Sequence, residues 1–467
     1  MNWPEIFLKR MQAQLGSEYP DFLAALATPA PVSLRLNAGK VAGELPLPPI
    51  PWTRTGYYLP ERPLFTLDPW WHAGGYYVQE ASSMLLEQAL RQHLPVDEGL
   101  LVLDLCGAPG GKSTHLASLL PPGSLLISNE MIRSRAHVLA ENLQKWGMSR
   151  VAVTQNQPQD FQALQGRVDA LLVDAPCSGE GLFRRDPAAA GEWSPAAQEA
   201  CVARQRDILT EVWPALRPGG LLVYSTCTFF PGENEENLAW LAEQEAVESL
   251  PLDLPEEWGF QAVEHDGICG YYSLPHRVQG EGFFLAVLRK KGEERIPRFK
   301  RSKQPDWEPA TKAQKALTEA WCDLPEGWHL QMRGDQLRAV PPAWEEIYEL
   351  LDRRLKVLYL GLAVGEVKKK NLKPDPALAL AAKGLRSDFP RMDLDHQPSL
   401  QYLSRENLSA PPGQGWQVLA YQGLNLGFGK QVQGRVNNYY PDYWRIRMNW
   451  QEREAAIWSL AGYPVSL

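Results

Sequence analysis

Residues 101–112, LVLDLCGAPGGK, constrain this chain more than any other stretch. Leu100, Leu101, Val102 and Leu103 form a continuous apolar run, the composition of a strand buried on both faces of a parallel sheet. The run breaks into Gly107, Pro109, Gly110 and Gly111, and Lys112-Ser113-Thr114 opens a helical pattern over 115–120. A strand that ends in glycines and then a helix leaves backbone N–H groups and a helix N-terminus free for a ligand. Glycine is required where a side chain would block that approach.

The spacing narrows the ligand. A phosphate-binding loop places a glycine six residues before the lysine, and here that position is Cys106; G-x-G-x-x-G is absent as well. Asp104 at the strand end fits instead a loop around a nucleoside with a charged amino-acid tail, such as S-adenosylmethionine.

The 467 residues are enough for two to four domains. With 44% apolar and 22% charged residues the chain reads as globular rather than disordered. No apolar run reaches the roughly 18 residues of a membrane helix, and MNWPEIFLKRMQ places acid, Pro and Lys inside its apolar pattern, unlike a signal peptide. The six cysteines, at 106, 177, 201, 227, 269 and 322, are far apart with no C-x-x-C. This argues against a zinc site or a disulfide framework and points to a reducing cytoplasm. The expectation is therefore a cytoplasmic monomer with no metal and no membrane contact. A net charge of −8 requires that any nucleic-acid-binding face be local.

Residues 1–95 are rich in Pro and aromatics, with short helices at 6–15 and 21–26 and an alternating strand at 32–37 whose Arg35 and Asn37 read as a solvated face. Tyr76, Tyr77, Val78, Gln79 and Glu80 lead into a helix over 81–93. This segment is expected to be an accessory, RNA-binding α/β domain leaning on the next. Residues 96–290 alternate strand and helix: strands at 100–105, 124–128, 151–154, 168–173 and 221–224, a long helix at 196–216, and late strands around 283–288. The alternation predicts a doubly wound, Rossmann-like parallel sheet, in which ligands bind beyond the carboxyl ends of the strands. Asp104, Glu130, Asp174 and Cys227 all stand at such ends. The run 289–303 carries eight Lys or Arg against two Glu; residues 291–304 read as a basic linker with nucleic-acid contact as the alternative. A small α/β unit is expected over 305–400, with Lys368, Lys369 and Lys370 as a further basic cluster, and a Gly-rich, aromatic β unit over 401–467.

Asp174-Ala175-Pro176-Cys177-Ser178-Gly179 follows one strand and Ser225-Thr226-Cys227 the next, so two thiols and an acid share neighbouring strand ends. Glu130, at the end of another, suits the two hydroxyls of a ribose. Such a set matches the parts list of pyrimidine C5 methylation. A thiolate adds at C6 and makes the ring an enamine able to displace a methyl group at C5. An acid at N3 holds the developing charge, and a further group assists release. On these residues either cysteine can be the one that attacks.

DLCGAPGGK, NE, DAPCSGEG and STCT, in this order and preceded by HAGGYYVQEASSML, resemble the Sun-family RNA (cytosine-C5) methyltransferases. The C-terminal GLNLGFGK and RVNNYYP are similar to the tail of the bacterial 16S ribosomal RNA branch, whose members end in a PUA-like RNA-binding domain. The resemblance implies S-adenosylmethionine as cofactor and ribosomal RNA, or the small ribosomal subunit, as partner. It implies Cys227 as nucleophile, Cys177 as the residue assisting release, and Asp174 and Lys112 beside them. It also implies a cofactor site made of Cys106, Gly107, Ala108, Pro109, Gly110, Gly111, Lys112, Glu130, Arg135, Gln157 and Asp174. The chain departs from the family pattern after its third strand, where Asn156 and Gln157 replace an acid; an amide can bond an adenine edge, and Gln157 is expected to do so. The same chemistry on transfer RNA, or an idle RNA-binding assembly factor, are the alternative readings. The broken phosphate-loop spacing argues against a nucleotide hydrolase.

Overall fold

The computed structural model describes residues 3–95, 99–293, 296–297, 306–369, 371–452 and 459–462. The strand β1 (Val32–Leu36) lies between β2 (Gly56–Leu59) and β3 (Tyr76–Val78), antiparallel to both. Helices Glu5–Leu15 and Tyr19–Leu26 precede this small sheet. The expected helix after β3 begins as a tight 3-10 turn, Ser82–Leu85, and continues as Leu86–His93.

Arg35 and Asn37 are not solvated, as their alternation with apolar neighbours led one to expect: they are 0% and 4% exposed. The second face of the small sheet is covered by the central domain. Arg35 Nε donates to Gln79 Oε1 at 2.8 Å and its terminal nitrogen to Thr114 Oγ1 at 2.6 Å, with the guanidinium 4.4 Å over the Trp146 ring. Asn37 donates to the carbonyls of Gly74 and Trp146 at 2.8 and 2.9 Å. The polar face of β1 is thus the joint that ties the N-terminal sheet to the helix Gly111–Leu119.

The central sheet is built on β4 (Leu101–Asp104), β5 (Leu125–Asn129), β6 (Val151–Thr154), β7 (Val168–Asp174) and β8 (Leu216–Thr226). These run parallel in the order β8-β7-β4-β5-β6. Apart from the start of β8 and the two Asp of β7, their residues are buried on both faces, which explains the near-continuous apolar composition. The helices Gly111–Leu119, Arg133–Trp146 and Pro195–Val212 cover the faces. The sheet is mixed rather than purely parallel. Phe283–Lys290 pairs antiparallel with β8, followed outward by Ile268–Ser273 and Gln261–His265. On the other edge Val357–Leu360, from far along the chain, pairs antiparallel with β6.

Arg289 and Lys290, the first residues of the basic run, end the strand Phe283–Lys290, and Lys290 is 9% exposed, with its ammonium donating to Leu216 O at 2.9 Å. Of the basic run, residues 294–295 and 298–303 lie outside the described residues, as does Lys370. A second antiparallel sheet joins Glu308–Pro309, His329–Arg333, Gln336–Val340, Leu362–Lys368 and Asn371–Pro374. A third contains Gln414–Tyr421, Leu424–Val432 and Arg435–Asn438, with Arg391–Asp393 parallel to the first of these and Leu408–Ser409 on the far edge. This last unit shares one apolar core with the N-terminal sheet: Leu34, Trp70 and Tyr76 pack with Leu400, Leu426, Tyr440 and Trp444. Asp68 seals the joint, accepting from Tyr76 Oη, Ser459 Oγ and the Leu460 N–H.

Candidate active site

The carboxyl ends of β4, β5, β7 and β8 meet in one cleft. At the end of β4, Asp104 is fully buried. Ser113 Oγ donates to its Oδ2 at 2.6 Å, and burial pushes its carboxyl up to about 7. The loop then turns through Gly107, whose N–H donates to Asn129 O at 2.8 Å. A Cβ there would stand 2.7 Å from Ser113 Oγ, so only glycine fits. Gly110 has φ +121° and opens the helix Gly111–Leu119. Asn129 fastens three strand ends together: its amide donates to Leu105 O and Asn156 O, and its side-chain oxygen accepts from Thr154 Oγ1 and the Asn156 N–H.

Glu130 follows β5 and is 6% exposed. Its Oε1 accepts the Ile132 N–H at 2.9 Å, and its Oε2 faces Arg135 at 3.4 Å. Arg135 also donates to Ala108 O at 3.0 Å, bridging the glycine loop to the acid. Met131 and Ile132, which sequence reasoning missed, are large apolar side chains 49% and 47% exposed at the rim. The signal was available as an apolar pair directly after a strand-end acid. Gln157 lines the cleft, but Asn156 is committed elsewhere. Its Nδ2 donates to Lys356 O and its Oδ1 accepts the Lys356 N–H, pinning the chain segment that enters Val357–Leu360.

On the other side, Asp174 ends β7. Lys112 reaches it from the glycine-loop helix at 2.9 Å, and Ser225 Oγ donates to it at 2.8 Å. Burial works against the Lys112 charge, but the Asp174 carboxylate prevails and holds the ammonium above its ordinary value. Cys177 and Cys227 stand with sulfurs 3.2 Å apart, and the Cys227 N–H donates to Cys177 Sγ at 3.3 Å. The hydrogen bond to Cys227, followed by burial, pushes the Cys177 thiol well up.

Two buried acids that sequence reasoning overlooked hold the cysteine loops. Glu233 accepts from the Ser178 N–H at 2.9 Å, from Ser178 Oγ and from Gln205 Nε2 at 3.0 Å. Glu180 accepts from Arg10, Trp193 Nε1, Gln198 Nε2, Thr228 Oγ1 and the Phe229 N–H. Both lie in turns within three to six residues of a cysteine, where polar residues look like solvated turn formers.

The cavity has two chambers. One, of about 570 Å³, runs from Glu130, Met131 and Ile132 past Gln157 and Pro176 to Cys177 and Cys227. The other, of about 300 Å³, opens between the glycine loop and β3, with Tyr77, Gln79 and Glu80 on its wall. Asp174 and Cys227 line both chambers, whereas Cys177 lines only the first. The first chamber offers what a nucleoside with a charged tail requires: a carboxylate at a strand end, flanking apolar side chains and the loop backbone. Among the described residues no group of three or more His, Cys, Asp or Glu could hold a metal ion, and no helix is long and apolar enough to cross a membrane.

Residues 91–289 match the family described as 16S rRNA methyltransferase RsmB/F. Residues 3–81 match the N-terminal domain of 16S rRNA methyltransferase RsmF, and residues 389–446 the methyltransferase RsmF PUA domain. The ribosomal RNA small subunit methyltransferase F of Enterobacter sp. (strain 638) is 31% identical over 94% of this chain and 95% of its own length. That of Escherichia coli (strain K12) is 32% identical over 94% and 96%. Among solved structures, a methyltransferase homologue protein from Pyrococcus horikoshii is 26% identical with a TM-score of 0.52, covering 62% of this chain and 96% of that one. NSun6 from Pyrococcus horikoshii, solved with SFG, shares the fold at 20% identity and a TM-score of 0.52, covering 62% and 99%.

Proposed function

The chain belongs to the 16S rRNA methyltransferase RsmB/F family, and from that premise we propose how its residues methylate C5 of a cytosine in 16S ribosomal RNA through a covalent bond from Cys227 to C6. It is an RNA methyltransferase that uses S-adenosylmethionine, with a Rossmann-like catalytic sheet and a C-terminal PUA domain. One observation carries the assignment of roles. Cys227 lines both chambers, so its sulfur can be reached from the mouth side while the other chamber is filled; Cys177 lines only the cofactor side.

The larger chamber is assigned to the cofactor. Glu130 accepts the ribose hydroxyls, Met131 and Ile132 flank the adenine with Gln157 at its edge, and Arg135 holds Glu130 and the loop in register. The loop is assigned to the amino-acid tail: Cys106 and Ala108 bring its backbone to this chamber, and Gly107, Pro109 and Gly111, with Gly110 between them, continue it along the smaller one. When bound, S-adenosylmethionine supplies an electrophilic methyl group to C5.

The smaller chamber is assigned to the base. The Cys177 thiol, pushed well up by the hydrogen bond to Cys227 and by burial, keeps its proton, while Cys227 gives its own proton to solvent through the mouth and adds to C6 as the thiolate. Asp174 faces N3. As a carboxylate paired with Lys112 it is not itself an acid, so the pair acts as one unit: Lys112 holds the proton and Asp174 directs it. Once Cys227 is bonded to carbon, the interaction that most raised the Cys177 thiol is gone. Cys177 is then easier to ionise at the step when the C5 proton must leave and Cys227 be expelled.

All these groups come from one chain, which supports a monomer; cytoplasmic residence is part of the same reading. Incubating the protein and S-adenosylmethionine with 16S ribosomal RNA, free and in small subunits, and mapping 5-methylcytosine tests the function. Transfer of methyl only to transfer RNA, or to no RNA, would overturn it.

A further inference from the structure

The mouth beside Cys227 continues along β3. Tyr77 and Val78 line it, and the same two residues line a second recess of about 280 Å³. This recess has aromatic walls, Phe65 and Trp71, and two polar groups, Asn142 and Arg62. It takes no part in the chemistry described above.

Its polar groups are oriented. Asn142 donates its amide N–H to Pro109 O at 2.6 Å, which leaves its side-chain carbonyl as an acceptor. Tyr77 is half-buried and raised to about 12 by burial, and its hydroxyl makes no hydrogen bond among the described residues. Arg62 is exposed, with its guanidinium 5.6 Å over the Phe65 ring and no ion pair among the described residues. Flat apolar walls, an acceptor, a hydroxyl and a free cation at the rim are what one unpaired nucleotide needs: stacking for the base, edge contacts, and a charge for the phosphate. A larger recess of about 720 Å³ also adjoins Val78, where Glu61, Glu80 and Glu281 stand with Arg62, Arg184 and Arg185, and Arg184 is paired with Glu281; it has no aromatic wall on which a base could stack.

We propose that the recess bounded by Phe65, Trp71, Tyr77 and Asn142 binds the base of the nucleotide adjacent to the target cytosine, so that the enzyme reads two neighbouring nucleotides. The inference rests on the reading of the chain as an RNA methyltransferase. Tyr77 and Val78 of β3 line both the mouth and the recess, which fits a single-stranded step that places one base in each. The Asn142 carbonyl favours a base that presents an N–H, and Arg62 takes the phosphate at that step.

The test uses the full chain and RNA fragments carrying the target cytosine, with each neighbouring position replaced in turn by an abasic residue. At one of the two positions the abasic RNA should lower kcat/KM about tenfold or more for the unaltered enzyme, as stacking predicts. Tyr77→Phe and Arg62→Ala should retain S-adenosylmethionine affinity, and Arg62→Ala should reduce the salt dependence of RNA binding by about one phosphate contact. In Tyr77→Phe the abasic penalty should shrink. Abasic substitution at both neighbours without effect on the unaltered enzyme would overturn the proposal while leaving methylation intact. Absence of methyl transfer to any fragment or to intact ribosomal RNA would instead sink the underlying function.

Discussion

Cys177 and Cys227 face each other across 3.2 Å, and this contact, together with burial, pushes the Cys177 thiol well up. The two thiols are therefore not interchangeable. Cys227→Ser should neither methylate RNA nor form an adduct, because a hydroxyl is far less ionised and less nucleophilic at neutral pH. Cys177→Ser should still add to C6 and transfer the methyl group, then accumulate an enzyme–RNA bond seen as a slow band on a denaturing gel. An adduct from Cys227→Ser and none from Cys177→Ser would reverse the roles.

Lys112 and Asp174 act as one unit at 2.9 Å. Lys112→Met and Asp174→Asn should each lower kcat by roughly 10²–10⁴-fold, the range of general acid–base catalysis. The double variant should be little worse than either single one, since each removes the same proton path. Multiplicative losses in single-turnover kinetics would mean that the two residues act independently.

Glu130 carries the cofactor assignment. Glu130→Ala should weaken S-adenosylmethionine binding by about 1–3 kcal/mol, the value of charged hydrogen bonds left unmade. Part of that loss comes through Arg135 and Ile132, both of which Glu130 holds. Glu130→Gln keeps the Ile132 contact and should bind better than the alanine variant. Equal calorimetric affinities for all three proteins would remove Glu130 from the site.

The strand ends were legible because a parallel sheet forces its polar residues there. Asp104, Glu130, Asp174 and Cys227 could be placed by counting strands. The buried polar framework was not legible, because its partners are distant in sequence. Arg35 alternates with apolar neighbours as a solvated residue does, yet its partners are Gln79, Thr114 and Trp146. Glu180 looks like a turn residue until Arg10, 170 positions away, is brought against it. Asn156, beside the Gln157 expected at the adenine, gives no local sign of its partner: its amide is bonded to Lys356, 200 positions on. Local pattern reports which face a residue occupies only when the covering layer is also local. Here the covering layers come from other domains.

Asp104 makes the stability of the glycine-loop region depend on pH. Burial raises its carboxyl to about 7, helped by the Asp174 charge and opposed by the Ser113 hydrogen bond and by Lys112. The unfolded chain releases this proton near the ordinary value of 3.8. Between those limits the folded state binds more protons than the unfolded one, so stability falls as pH rises from about 4 to about 7 and then levels. Above pH 7 the whole loss is reached, on the order of 4 kcal/mol relative to acid pH. Asp104→Asn removes the titration and keeps an acceptor for Ser113 Oγ. Its melting temperature should fall below or match that of the unaltered protein at pH 5 and gain on it steadily toward pH 8. A difference between the two proteins that stays constant from pH 5 to pH 8 would show that Asp104 does not titrate in this range.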